Sequence, residues 1–260
     1  MAFKGKVALV TGGASGMGRL DALRLARQGA KVAILDMNEK GLQEVAAQSP
    51  NIRPYVCDVG NLEQVRQVVA QIEQDLGPID RLTHCAAIMP GQSIKDMPAE
   101  AINKVMTINY FGMVNLTKTV MPLMEKRGAG DIIIYGSMAG TVLNYKLGAY
   151  CASKAATNAF VEILVRENIG SPIRFLLVCP PMVDTPLIRQ SMETGPKGIK
   201  ASIEKGQNMV KPEVIIDAVE AAIEKGDWIV CPKPAGFMML WRRFFPESLW
   251  RLMEKGEKAS

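Results

Sequence analysis

The stretch that most constrains this chain is Val7-Ala-Leu-Val-Thr11 followed at once by Gly12-Gly13-Ala14-Ser15-Gly16-Met17-Gly18. A continuous apolar run of this length reads as a central strand covered on both faces. The glycine turn opens a helix carrying Leu20, Leu23, Leu25 and Ala26, which stops at Gly29, and a second strand runs from Lys31 to Asp36. Strand, glycine turn, helix and strand ending in an acid make a βαβ unit whose turn can hold a pyrophosphate. Each glycine has its own reason. Gly12 permits the tight turn, Gly16 lets the backbone come close to a phosphate, and Gly18 lets the helix pack on the strand. The helix N-terminus at Ser15 to Gly18 offers unbonded N–H groups to the anion. Asp36, 18 residues after Gly18, is spaced to bind ribose hydroxyls and to repel a 2′-phosphate, which predicts NAD rather than NADP.

The alternation continues. The periodicity predicts helices over 39–48, 62–76, 98–126, 148–168 and 212–225, and strands over 52–57, 79–85, 132–135, 173–179 and 228–231. Strands alternating with helices imply an α/β fold, a doubly wound parallel sheet of about seven strands in a single domain, residues 1–234. Residues 180–211 break the rhythm with Pro, Gly and Met, and a long irregular segment inside a domain predicts a substrate lid.

Composition narrows the function. The net charge is +5, but the basic residues are scattered, which argues for solvation and against a nucleic-acid partner. The five cysteines are far apart, without a Cys-x-x-Cys pair, and read as reduced thiols of a cytoplasmic protein. One histidine and no paired cysteines leave no metal site to expect. The first strand begins almost at the N-terminus, leaving no room for a signal peptide, and no apolar run reaches the roughly 18 residues of a spanning helix.

Tyr150 and Lys154 stand four apart on the 148–168 helix and share one face. A neighbouring ammonium favours the phenolate, so Lys154 is expected to lower the Tyr150 pKa. Ser137 follows the apolar run Ile132-Ile-Ile-Tyr-Gly at a strand end. Strand end, loop and helix face can bring these three side chains around one substrate oxygen.

Taken together, these residues resemble the short-chain dehydrogenase/reductase family in its single-domain branch with a Rossmann-type sheet, over roughly 4–231. The motifs are Thr11-Gly12-x-x-x-Gly16-x-Gly18, Asp58-Val59 after the third strand, Asn109, Ser137, Tyr150-x-x-x-Lys154, and Thr185 in Pro180-Pro-Met-Val-Asp-Thr185. The resemblance implies Tyr150 as general acid/base and Ser137 holding the substrate oxygen. It implies Lys154 on the nicotinamide ribose, Asn109 anchoring a proton-relay water, Asp58 and Val59 bracketing the adenine, and Thr185 against the nicotinamide amide. Ala86, Pro180 and Val183 join the cofactor contacts on the same basis. Two places depart from the family pattern: His84-Cys85-Ala86-Ala87 after the fourth strand, and Pro180-Pro181 after the sixth. His84 is expected to be a bonded core residue.

The expected activity is hydride transfer between NAD(H) and an apolar secondary alcohol or ketone. Met89, Met97, Met138, Leu143, Met182, Leu187 and Met192 are expected to ring the cleft. An NAD-bound epimerase or dehydratase and a non-catalytic nucleotide-sensing scaffold are the competing readings. Small residues Ala152, Ala155, Ala156 and Ala159 point away from the catalytic line, and the 98–126 helix is apolar on more than one side, so a homodimer or homotetramer is expected. Beyond the domain, residues 235–260 form an apolar and basic extension that Pro246 splits into two short helical arms. These arms either roof the cleft or meet a subunit, the favoured reading, or make peripheral membrane contact through 236–253.

Overall fold

β1 (Val7–Thr11) is buried along its whole length and pairs in parallel with β2 (Lys31–Asp36) on one side and β4 (Arg81–His84) on the other. It is an interior strand, third in a seven-stranded parallel sheet in the order β3-β2-β1-β4-β5-β6-β7, with β3 at Ile52–Val56, β5 at Gly130–Tyr135, β6 at Ile173–Val178 and β7 at Ile229–Val230. The chain reverses its direction of winding between β1 and β4, so a crevice opens there at the carboxyl ends of the strands. The computed structural model describes residues 3 and 5–258; residues 1, 2, 4, 259 and 260, at the outer ends of the expected domain and extension, lie outside that description.

Alternation along the strands decides which helix lies on which face. Ala8, Val10 and Ile34 pack with α1 (Gly16–Arg27) and α2 (Glu39–Ala46), and on the same face Ile133 and Leu176 pack with α9 (Pro212–Lys225). Leu9, Leu35, Leu82, Ile132 and Leu177 point the other way. They pack against α3 (Leu62–Asp75), α5 (Gly112–Arg127) and α6 (Gly148–Glu167). Strand limits differ from the apolar runs in places: β5 begins two residues earlier than expected, at Gly130, and β4 begins only at Arg81, after Asp80, whose side chain accepts from the backbone N–H groups of Lys6 and Val7.

Two expectations need correction. The long helix over 98–126 is interrupted: α4 (Ala99–Met106) and α5 are joined by a π turn at Thr107–Phe111, and π turns mark strained or functional places. Residues 180–211 are more regular than their composition suggests. They contain α7 (Pro186–Arg189) and α8 (Lys197–Lys205), and a parallel bridge between Val183 and Val210 closes their base. The extension forms two helical arms, as expected. α10 (Ala235–Phe244) and α11 (Pro246–Lys258) bend at Pro246 and fold back on the domain, anchored by Ala235 and Leu249, at 0% and 1% exposure. Among the described residues, no helix is long and apolar enough to cross a membrane.

Candidate active site

The crevice holds two joined cavities. The first, about 500 Å³, is walled by Gly12, Ser15, Gly16, Met17, Gly18, Asp36, Asp58, Val59 and Ala86, all expected at the cofactor, with Thr185 at its far end. Gly12 and Gly16 take left-handed backbone angles, φ 67° and 52°, and a Cβ on Gly18 would collide with the Gly12 carbonyl. Ser15 is the N-cap of α1 but its side chain makes no capping bond, so the first N–H groups of the helix face the groove. Asp36 is set by two backbone N–H groups, from Ala14 at 3.3 Å and Asn38 at 3.0 Å, at the groove's edge. A cradle of glycines, a helix N-terminus and a carboxylate at ribose distance in sequence suit a dinucleotide.

Thr11 ties the floor of this groove. Its hydroxyl oxygen accepts from Cys85 N–H and Ala86 N–H, each at 3.1 Å, so its own hydrogen is left for His84 Nδ1 at 3.0 Å. His84 is therefore neutral with its proton on Nε2, and burial holds its pKa down to about 3. It is a bonded core residue, as expected.

The second cavity, about 650 Å³, meets the first at Met17, Cys85, Ala87, Thr185 and Leu187. Ser137, Tyr150 and Lys154 line it together with Pro180 and Val183. Ser137 follows β5 and caps a 3₁₀ turn over Met138–Gly140, with its hydroxyl accepting from Ala139 N–H at 3.0 Å. Tyr150 and Lys154 come from the first turns of α6, with the Lys154 nitrogen 5.9 Å from the Tyr150 ring centre. Lys154 donates to the Tyr135 carbonyl at 2.7 Å.

The expected lowering of the Tyr150 pKa does not hold in this geometry. Burial dominates and pushes the phenol up to about 12, with the Ser137 hydroxyl pulling the other way. The same burial brings the Lys154 ammonium down to about 8. Sequence spacing showed the pair but not the depth at which it sits: Tyr150 is 6% and Lys154 3% exposed.

Asn109 lies in the π turn, 1% exposed. Its carbonyl oxygen accepts from Ile88 N–H at 2.8 Å, and its amide donates to the Ile88 carbonyl and to Ser153 Oγ, both at 3.0 Å. Both amide hydrogens are thus engaged, and Asn109 joins the β4 loop to α6.

Of the residues expected to ring the cleft, Met89, Met138, Met182 and Leu187 line the large cavity. Leu143 and Met192 do not; they pack behind its wall with Ile188 and Ile203, and Met97 lies in a separate cluster with Val105 and Ala149. Sequence reasoning missed Tyr145, Ile188 and Ile199, and from the extension Met238, Leu252 and Met253. The extension thus roofs the cavity. Tyr145 fastens that roof, with its ring 5.3 Å from Trp250 edge to face and its hydroxyl on Glu254 at 3.4 Å. The only sequence signal for this was the density of large apolar side chains in 237–253.

Comparison with known proteins gives a consistent picture. A profile described as short chain dehydrogenase matches residues 6–195. The chain is 30% identical to the 3-oxoacyl-[acyl-carrier-protein] reductase FabG of Thermotoga maritima, over 84% of this chain and 90% of that one. It is 29% identical to human epidermal retinol dehydrogenase 2, over 93% of this chain and 79% of that one. A crystal structure of a Burkholderia phymatum short-chain dehydrogenase/reductase in complex with NAD superposes with a TM-score of 0.82. It covers 95% of this chain and 96% of that one at 23% identity, a likeness of fold.

Proposed function

Because this chain belongs to the short-chain dehydrogenase family and is thus an oxidoreductase taking a nicotinamide cofactor, we propose that it moves a hydride between NAD(H) and an apolar secondary alcohol or ketone. One observation carries the reading: a glycine-cradled groove edged by Asp36 opens directly into an apolar cavity in which Ser137, Tyr150 and Lys154 stand together. When bound, the cofactor's nicotinamide gives or takes the hydride at carbon. The chain's own residues handle the oxygen. Ser137 donates a hydrogen bond to the carbonyl oxygen and orients it. Tyr150, protonated at neutral pH, gives its phenolic proton to that oxygen in reduction and recovers it from the alcohol in oxidation. Lys154, fixed by the Tyr135 carbonyl, keeps a positive charge beside the ring and offers remaining N–H donors to the cofactor ribose.

The substrate class follows from the walls. Met89, Met138, Met182, Leu187, Ile188 and Ile199 surround the catalytic side chains, and thioethers adapt to irregular apolar shapes. A cavity of this volume suits a drug-sized or larger apolar molecule. The test is absorbance at 340 nm with a panel of secondary alcohols and ketones of rising chain length, with NAD(H) and NADP(H) in parallel. Turnover that grows with apolar size supports the reading. Turnover confined to small polar alcohols, or none with any member, defeats it.

A further inference from the structure

The roof has two faces, and the catalytic reading uses only the inner one. On α10, Ala235 is fully buried and Met238 lines the cavity, while Phe237, Leu240 and Phe244 are 57–67% exposed. Their spacing of three and four residues makes one outward stripe. Phe245, 65% exposed, extends that stripe at the bend before Pro246. Three large apolar side chains on one short helix and a fourth at its end form an exposed patch that calls for a partner.

Charge selects the partner. α10 carries Arg242 and Arg243 and no acid, and residues 233–258 hold six basic and three acidic side chains. Arg243, three residues past Leu240, flanks the stripe and is exposed; Arg251 and Lys255 are exposed one turn apart on α11. Two copies meeting through this patch about a two-fold axis would bring like charges together. An anionic lipid surface would instead take the phenyl groups among its acyl chains and the guanidinium groups at its phosphates. Trp241, with its indole N–H bonded to Ser248 Oγ at 2.6 Å, sits half-buried at the edge.

We propose that α10 and the Phe245 bend dock on an anionic membrane surface. Leu252 both lines the cavity and is 51% exposed, so the cavity wall reaches the surface within the same helical pair. If the proposed redox function holds, an apolar substrate can then pass from the bilayer into the cavity without crossing water.

The experiment is flotation of the full-length protein with phosphatidylcholine vesicles, with and without phosphatidylglycerol. The expected result is association with anionic vesicles on the order of tenfold stronger than with neutral ones, weakening as salt rises. Phe237→Ser with Phe244→Ser should abolish flotation while the variant keeps its melting temperature and its turnover of a short water-soluble ketone. Arg243→Ala should weaken binding about fivefold, the effect of one basic side chain at the surface. The proposal is overturned if the wild-type protein stays unbound with both vesicle types, or if the double variant still floats. It is equally overturned if the double substitution lowers the oligomeric state of a protein that does not float, which would make a second copy the occupant. Flotation requires no turnover, so its failure leaves the redox reading intact, and an inactive protein that floats leaves the docking surface intact.

Discussion

Asn158 holds Ser137 by both of its backbone polar groups: the Asn158 side-chain oxygen accepts from Ser137 N–H at 3.3 Å, and its amide donates to the Ser137 carbonyl at 3.0 Å. A Cβ on either Gly136 or Gly140 would collide with that amide, so the turn is built to let α6 approach. Ser137 and the helix that carries Tyr150 therefore move as one body.

This predicts that Asn158→Ala leaves cofactor affinity unchanged, since the glycine groove is elsewhere, and lowers kcat by roughly 10- to 100-fold through misplacement of Ser137. Cofactor titration and steady-state kinetics on the same preparation separate the two effects. A kcat within about twofold of wild type would mean that Ser137 is positioned by other contacts.

Tyr150 is the proton carrier in this scheme, and its pKa near 12 sets the sign of the pH dependence. Ketone reduction needs the phenol, which is present throughout the neutral range. Alcohol oxidation needs the phenolate, so its rate should climb with pH between about 6 and 9. Tyr150→Phe should remove that slope and about 10²- to 10⁴-fold of turnover while still binding cofactor. An oxidation rate that is flat in pH, or a Phe variant with near-normal turnover, would contradict the assignment.

Asp36 predicts cofactor choice. Its carboxylate is pinned by two backbone N–H groups at the groove edge, and a 2′-phosphate there would meet a like charge. A repulsion of about 3 kcal/mol corresponds to a preference for NAD of roughly 100-fold in kcat/KM. Asp36→Ser should narrow the gap chiefly by improving NADP. Equal efficiency with both cofactors in the wild-type protein would remove Asp36 from this role.

What was legible in the sequence was local. The Val7–Thr11 strand, the glycine turn and Asp36 are neighbours along the chain, and their chemistry follows from spacing alone. The π turn at Thr107–Phe111 carries no Pro or Gly to announce it; it arises where Asn109 must reach both Ile88 and Ser153. Met97, Leu143 and Met192 were indistinguishable from Met89 and Met182, because an apolar side chain reads the same whether its neighbour is a cavity or a core. The raised Tyr150 pKa depends on burial among Met89, Ile188 and Ile203, which come from other segments of the chain, and no local pattern encodes that.

The outer side of α6 and of the π turn before α5 motivates a prediction of assembly. Phe111 and Ile163 are 51% and 56% exposed, and Ala152 and Ala159 present small exposed side chains. Helices with such faces pair readily, and a dimer or tetramer is expected at micromolar concentration. Ile163→Glu with Phe111→Glu should reduce the mass seen by light scattering. A wild-type monomer would dispose of the idea.

The last prediction concerns Asp21, which faces the sheet from α1 at 3% exposure with one carboxyl oxygen lacking any hydrogen-bond partner. Burial raises its pKa from 3.8 to about 6, against the pull of Arg81 and Arg24 and with a push from Glu220. A folded pKa above the unfolded one means that the native state binds the extra proton. The stabilisation is complete below about pH 4 and is lost as pH rises through 6, a swing of about 3 kcal/mol for a shift of about two units. His84 acts in the opposite sense: its depressed pKa gives stability that falls as pH drops below its unfolded value of 6.5. The wild-type curve mixes the two, so the difference between Asp21→Asn and wild type is the quantity to measure, since His84 is common to both. Urea unfolding of the cofactor-free protein across about pH 4 to 8 should show the variant gaining on wild type by up to about 3 kcal/mol as pH rises. The gain should be confined to the window between the two Asp21 values. A difference that stays constant across that range would mean that Asp21 titrates normally in the fold, and that Arg81 and Arg24 compensate its burial.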